Sequence, residues 1–229
     1  GTHRVAFGRE INQAKEILKR LTGLTSQFKQ EQLSKDFMNR LSTVIPPDEL
    51  QPQEAERQAP WYKVKNLLLI QPRALVRRIY PAAVWRVNTQ EKVIYLTFDD
   101  GPVPVITDWV LEQLNLYNAK ATFFCVGDNI LKYPDVFARI KEGGHTVANH
   151  TQTHCKGFKN NVKDYLKEVD TCEKYTATRL FRPPYGQLKR SQYKALKEKG
   201  YKIILWDVIS YDYEKINAEK CLLNTLNFT

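Results

Sequence analysis

Val93-Ile94-Tyr95-Leu96-Thr97-Phe98-Asp99-Asp100-Gly101-Pro102 is the stretch on which the reading of this chain turns. An apolar run ends abruptly on two adjacent carboxylates and a Gly-Pro breaker. The run fits a strand over 92–98, which leaves the acids at its C-terminal end. Outward from there the pattern repeats. β-like runs at 120–126, 145–149, 178–182 and 202–206 alternate with helical patterns at 104–117, 129–142, 161–176, 188–199 and 215–226. Such alternation predicts parallel β/α units. In folds of this kind chemistry collects beyond the strand C-termini, and the polar motifs of this chain fall at or just after those ends.

The second informative piece is His150-Thr151-Gln152-Thr153-His154. Two histidines four residues apart also occur on exposed helix faces. Here Gly143-Gly144 and the β-like His145-Thr146-Val147-Ala148-Asn149 precede them, so a strand end and the loop beyond it fit better. Neither histidine lies in an apolar stripe, which argues against buried core histidines. Two imidazoles and one carboxylate make a metal site with open positions for water and substrate. Of two neighbouring carboxylates, the one left over stands beside the metal and can act on that water. An Asp-Asp pair by itself commonly only caps the next helix; the two motifs together supply the parts for metal-assisted hydrolysis.

Two downstream segments add to this. Arg182-Pro183-Pro184-Tyr185-Gly186 follows Leu180-Phe181. Consecutive prolines remove two backbone donors and stiffen the loop, as suits a wall of a site, and Arg182 can pair with a carboxylate. Leu205-Trp206-Asp207-Val208 and then Asp212-Tyr213 follow Tyr201-Lys202-Ile203-Ile204. An indole and two acids at a strand end are either structural or a sugar-stacking surface with supporting acids.

In this order the four segments resemble the polysaccharide deacetylases, carbohydrate esterase family 4, from about Tyr80 to the C-terminus, roughly two thirds of the chain. Thr-Phe-Asp-Asp-Gly-Pro and His-Thr-x-x-His, ~50 residues apart and followed by Arg-Pro-Pro-Tyr-Gly, supply the context that a motif requires. The resemblance implies that Asp99 is the catalytic base. It implies a metal triad of Asp100, His150 and His154, usually holding zinc, with cobalt, nickel or manganese as alternatives. Arg182 would pair with and orient the base, and the backbone N–H of Tyr185 would donate to the oxyanion. Pro184, Tyr185 and Trp206 would line the substrate pocket. Asp212 would orient a histidine near the C-terminus. The implied fold is α/β: a distorted, incomplete (β/α) barrel, here carrying an N-terminal helical extension. Two departures stand out. The family closes with a strand bearing a His-Asp motif whose histidine is the general acid, yet the histidines here are His3, His145, His150 and His154 only. Tyr213 stands where the family usually has Trp. The chain therefore reads as a fragment or as a degenerate member, with an unpaired sheet edge expected near 92–98.

The chemistry also follows from residue types alone. A divalent metal brings the pKa of bound water towards neutrality. An adjacent carboxylate takes the remaining proton as an amide carbonyl is attacked, and each oxyanion donor contributes ~3 kcal/mol. The expected activity is removal of N-acetyl, or alternatively O-acetyl, groups from an acetylated glycan of peptidoglycan or chitin type. A catalytically silent glycan-binding relative and a cyclic-amide hydrolase on the same fold are the rivals. The sequence downstream of Thr229 would separate the first, and sugar-versus-ureide assays the second.

A length of 229 residues suits one large domain with an appendage, and 42% hydrophobic residues allow a sizeable core. The division expected is 1–60, helical extension and linker, and 61–229, the catalytic domain without its last strand. Ile11, Ala14, Ile17, Leu18 and Leu21 mark an amphipathic helix over 8–22; Leu33, Phe37, Met38 and Leu41 mark a second. Residues 45–60 read as a linker. Residues 61–78, basic and apolar, read as a helix packed on the barrel, with a membrane-surface segment as the alternative. A net charge of +10 predicts affinity for anionic envelope polymers or lipid headgroups. Scattered lysines and the lack of a recognised module argue against nucleic acid. Cys125, Cys155, Cys172 and Cys221 show no Cys-x-x-Cys spacing and read as isolated thiols, Cys155 as a small residue beside the site. No signal peptide is evident, and Leu67-Leu68-Leu69-Ile70 is too short to span a bilayer. Cytoplasmic and envelope-associated locations both stay open, as does the oligomeric state.

Overall fold

The computed structural model describes residues 77–90, 93–213, 221 and 225. The expected helices at 8–22 and 33–41, the linker at 45–60, residues 61–76 and most of the expected helix at 215–226 lie outside them. Residues from Ala74 to Trp206 belong to one compact unit, and those from Asp207 onward belong to a second.

Five parallel strands build the sheet: β1 (Leu96–Asp99), β2 (Ala121–Cys125), β3 (Thr146–Asn149), β4 (Leu180–Phe181) and β5 (Lys202–Ile203). Their spatial order is their chain order, β1-β2-β3-β4-β5. Every crossover therefore steps the same way. A doubly wound sheet reverses direction part-way, whereas a barrel wall does not. Leu96 to Asp99 align with Ala121 to Phe124, and Thr122 to Cys125 with Thr146 to Asn149. Among the described residues β1 pairs with β2 alone, so it forms the expected edge. The other edge is covered by Val84, whose N–H donates to Ile203 O and whose carbonyl accepts from Leu205 N, both at 2.8 Å.

The strands start later or run shorter than their apolar runs. β1 begins at Leu96 and not near residue 92 because β2 begins at Ala121, leaving the preceding residues without a partner strand. Val93, Ile94 and Tyr95 are accordingly exposed. Phe123, Phe124 and Cys125 of β2 are all buried, as a strand covered on both faces requires.

The helices are α1 (Ile106–Leu116), α2 (Gly127–Lys132), α3 (Pro134–Glu142), α4 (Val162–Thr176) and α5 (Arg190–Glu198). One helix was expected over 129–142; two are found. Pro134 lacks an N–H and excludes the α conformation from the residue before it, so Tyr133 breaks the run at φ −131°, ψ 59°. Pro134 then opens α3 from its first position. Asn161 caps α4 by accepting from Asp164 N at 2.9 Å. Val110 and Leu114 of α1, Val136, Phe137 and Ile140 of α3, and Val169 and Cys172 of α4 are buried together with the strand residues. A second part of the core joins Tyr165, Phe181, Leu188, Leu196, Tyr201, Ile203 and Leu205. No helix among the described residues is long and apolar enough to cross a membrane.

Candidate metal centre and active site

The C-terminal end of β1 explains how adjacent carboxylates come to face different partners. Thr97 and Asp99 lie two apart on a strand and so share a face. Both meet Arg182, whose NH1 donates to Thr97 Oγ1 at 2.9 Å and to Asp99 Oδ1 at 2.6 Å. Asp100 then leaves the strand in the left-handed region at φ 69°, a costly conformation for a residue with a Cβ. Asn129 of α2 holds it there, its Nδ2 donating to Asp100 O at 2.7 Å. The Asp100 side chain turns to the histidines instead.

Asp100 Oδ1 lies 3.2 Å from His150 Nε2 and 3.0 Å from His154 Nε2. His150 is buried at the end of β3, and its Nδ1 contacts the Arg182 carbonyl at 2.7 Å. A carbonyl only accepts, so Nδ1 carries a hydrogen and Nε2 is the ring atom turned to Asp100. The Nε2 atoms of His150 and His154 and one carboxylate oxygen thus converge on one point, as the ligands of a cation would. Ligands about 2.0–2.2 Å from a tetrahedral metal stand about 3.3–3.6 Å apart, a few tenths of an ångström wider than the 3.2 and 3.0 Å found. Among the described residues these three form the group able to hold a metal ion. Burial pushes the Asp100 carboxyl up, but the hydrogen bonds and charge of His150 and His154 outweigh it and hold it far below the usual carboxylate range.

The loop between the histidines is fixed residue by residue. Asn149 is fully buried; its Oδ1 accepts from Thr151 N at 2.9 Å and its Nδ2 donates to Val169 O at 2.8 Å. Thr153 gives its N–H and hydroxyl to Glu168 Oε2 of α4, at 2.8 and 2.9 Å. Gln152 Nε2 reaches Asp128 Oδ1 at 2.7 Å. Thr151 and His154 adopt φ of 67° and 55°. With Asp100 and Tyr185, four non-glycine residues of this one site lie in the left-handed region, where strain persists only if the surroundings impose it.

Arg182 is 4% exposed and sits 4.0 Å over the ring of Phe124. Its remaining donors reach Ile204 O at 3.3 Å and Leu205 O at 3.2 Å. One guanidinium thus ties β1 to the end of β5 and aims Asp99. The Pro183-Pro184 loop continues into a 3₁₀ turn over Pro184–Gly186, with Pro184 buried. Gly186 N donates to Pro183 O and Gln187 N to Pro184 O, both at 3.0 Å, which leaves the Tyr185 N–H outside the turn's own pairing. The Tyr185 ring stands 4.6 Å from that of His154 and is 55% exposed. Gly186 has φ 64° and lies flat under Trp206: a Cβ there would come within 2.6 Å of the indole. Asp212 belongs to the second compact unit, where Ser210 Oγ donates to it at 2.8 Å.

Sequence reasoning missed Asn129, Glu168, Asn149 and Thr97. Asn149 carried a signal, a polar residue ending an apolar strand. Asn129 and Glu168 carried none, since their partners lie on other elements. All four cysteines are free, and Cys155 lies outside the converging group; burial, aided by Glu168, pushes its thiol up to about 11.

The profile of the polysaccharide deacetylase family matches residues 86–204, which hold Asp99, Asp100, both histidines, Arg182 and the Pro184–Gly186 turn, while Leu205, Trp206 and Asp212 lie beyond its end. This chain belongs to that family. It is 34% identical over 139 residues to a peptidoglycan-N-acetylglucosamine deacetylase of Bacillus cereus, covering 58% of this chain and 50% of the relative. It is 36% identical over 150 residues to the peptidoglycan-N-acetylmuramic acid deacetylase PdaC of Bacillus subtilis, covering 62% and 31%. The chain thus spans about half the length of the first relative and about a third of the second. A crystal structure of a peptidoglycan N-acetylglucosamine deacetylase superposes with a TM-score of 0.62 at 32% identity, covering 65% of this chain and 72% of that one. These polysaccharide deacetylases are metal-dependent hydrolases as a family, and the three converging ligand atoms suit such an ion.

Proposed function

We propose that this polysaccharide deacetylase domain removes N-acetyl groups from an envelope glycan of the peptidoglycan type, with zinc held by Asp100, His150 and His154. The observation that carries the reading is the division of labour between neighbours: Asp100 faces two imidazoles while Asp99 is held by Arg182. When bound, the cation supplies Lewis-acid polarisation and a water acidic enough to lose its proton near neutral pH. Asp99 takes that proton as the water attacks the acetamide carbonyl. Arg182 pairs with Asp99 and aims it. The Tyr185 N–H donates to the carbonyl oxygen as it gains charge, an interaction worth ~3 kcal/mol in comparable sites. The half-buried Trp206 and the exposed Tyr185 are the aromatic side chains that a sugar can meet beside this centre. Asp99 then holds the proton that the departing amine must receive.

The test combines zinc titration with acetate release from N-acetylglucosamine oligomers and from peptidoglycan. One equivalent of zinc per chain and chelator-sensitive acetate release are expected. Release that persists after chelation, or its absence on every glycan at full zinc occupancy, would overturn the proposal.

A further inference from the structure

Lys156 lies two residues beyond His154 on an exposed turn. Its ammonium stands 4.8 Å from the centre of the Tyr185 ring, and that ring is 4.6 Å from the ring of His154. A single aromatic ring therefore separates this cation from a candidate metal ligand. The turn that carries it is rigidly seated. Gln192, fully buried, donates from Nε2 to Gly157 O at 2.8 Å and to Asn160 O at 3.1 Å. Gly157 is pressed so closely on the next loop that a Cβ would fall 2.1 Å from Gln187 O. Lys189 spends its ammonium on Asn160 O at 2.8 Å. Lys156 differs: among the described residues no carboxylate lies within ion-pair distance of it. An exposed cation–π contact contributes only about 0.5–1 kcal/mol, so it positions the ammonium without satisfying it.

Charge in the site points the same way. Arg182 is neutralised by Asp99, and Asp100 is taken up by the imidazoles and the cation they would hold. Lys156 is then a surplus positive charge at the mouth, and an anionic group on the ligand would balance it. We infer that Lys156 is a specificity-determining residue that receives a carboxylate carried by the glycan beside its acetamido group. It would favour acetamido sugars bearing an acidic ether substituent, such as the lactyl carboxylate of a muramic residue, over neutral N-acetylglucosamine oligomers. This rests on the deacetylase reading of the site.

The test is calorimetric. The zinc-loaded chain is titrated with a peptidoglycan-derived tetrasaccharide bearing free lactyl carboxylates, and with the same tetrasaccharide converted to neutral methylamides. At low salt the carboxylate form should bind about tenfold tighter, the size of one hydrogen bond to a charged group. Lys156→Gln should bring that ratio close to one, and Lys156→Arg should keep most of it. A wild-type ratio near one, or a ratio unchanged in Lys156→Gln, overturns the assignment. Acetate release from both ligands and from a neutral N-acetylglucosamine tetramer is followed in parallel. Release from the tetramer without any carboxylate preference removes the role of Lys156 and leaves the deacetylase reading standing. No release from any of the three overturns that reading, and this inference with it.

Discussion

At the scale of single residues, Arg182 joins stability to the proposed chemistry. Its guanidinium is buried, and Asp99 is its counter-charge at 2.6 Å. Removing one partner of a buried pair leaves an uncompensated charge, typically a loss of about 3–5 kcal/mol. The two halves of this pair are not equally buried: the Arg182 side chain is 5% exposed and that of Asp99 35%. Water therefore screens part of the loss when Asp99 changes. Asp99→Asn should lower unfolding free energy by only about 1–2 kcal/mol, keep one zinc per chain, and cut acetate release by ~10²–10⁴-fold. Arg182→Gln abandons contacts to Thr97, Asp99, Ile204 and Leu205 together, and should cost about 3–5 kcal/mol. Urea midpoints of the two variants check the ranking, and the opposite order would remove Arg182 from its place as the tie between strands.

Individual elements show why short strands suffice here. β4 and β5 have two residues each, yet their C-terminal ends carry Arg182 and lead to Trp206. Side-chain bonds from outside the ladder do the remaining work. The join of β2 and β3 has such a bond at its start, where Ala121 N donates to His145 Nδ1 at 3.3 Å. That bond needs a neutral imidazole. Burial, with Lys120 nearby, pushes His145 below its ordinary value of 6.5. A base depressed in the folded state stabilises the fold fully above the unfolded pKa, and this contribution is lost as pH falls through the folded one. Thermal midpoints should therefore drop from pH 7.5 to pH 5 partly through His145. In His145→Gln the side-chain oxygen can accept the same N–H at every pH, so the drop should be smaller. An identical pH slope in both proteins would show that His145 contributes nothing to it. Gly157 offers a second test at this scale. Gly157→Ala places a methyl against the Gln187 carbonyl and should destabilise by about 1–3 kcal/mol, as overpacking does. A melt within a degree of the wild type would mean that the turn shifts freely.

For the molecule as a whole, the same-direction strand order gathers the C-terminal ends of four strands along one rim of the sheet. Asp99 and Asp100 come from β1, the histidines from β3, Arg182 from β4 and Trp206 from β5. A cation held at that rim by Asp100, His150 and His154, as proposed, would clasp β1 to β3 across β2. It binds the folded state alone, so it should stabilise by about 2.7 kcal/mol at a hundredfold excess over Kd. Chelation should lower the melting temperature accordingly, and zinc should restore it. His150→Ala should melt at one temperature with and without zinc. A zinc-dependent shift that survives in that variant would place the ion elsewhere.

What the sequence determined by itself was chemical type and local order. The strand-acid-acid run and the His-x-x-x-His spacing picked out the three residues that the structure brings together and the carboxylate beside them, because strand periodicity and motif spacing are properties of a few consecutive residues. The alternation of patterns likewise sufficed for parallel β/α units, and Pro134 was there to be read as the break between α2 and α3. Tertiary structure decided the rest. Only the fold brings Arg182 to Asp99 from 83 residues away, and Asn129 to the Asp100 carbonyl from 29. Glu168 braces the histidine loop, and Lys156 and His154 meet the same Tyr185 ring, for the same reason. These pairings depend on which helix lies beside which strand end, and no short-range pattern encodes that. They arise when the buried faces of the sheet and its helices are packed, and the polar residues at the rim take the partners that packing leaves within reach.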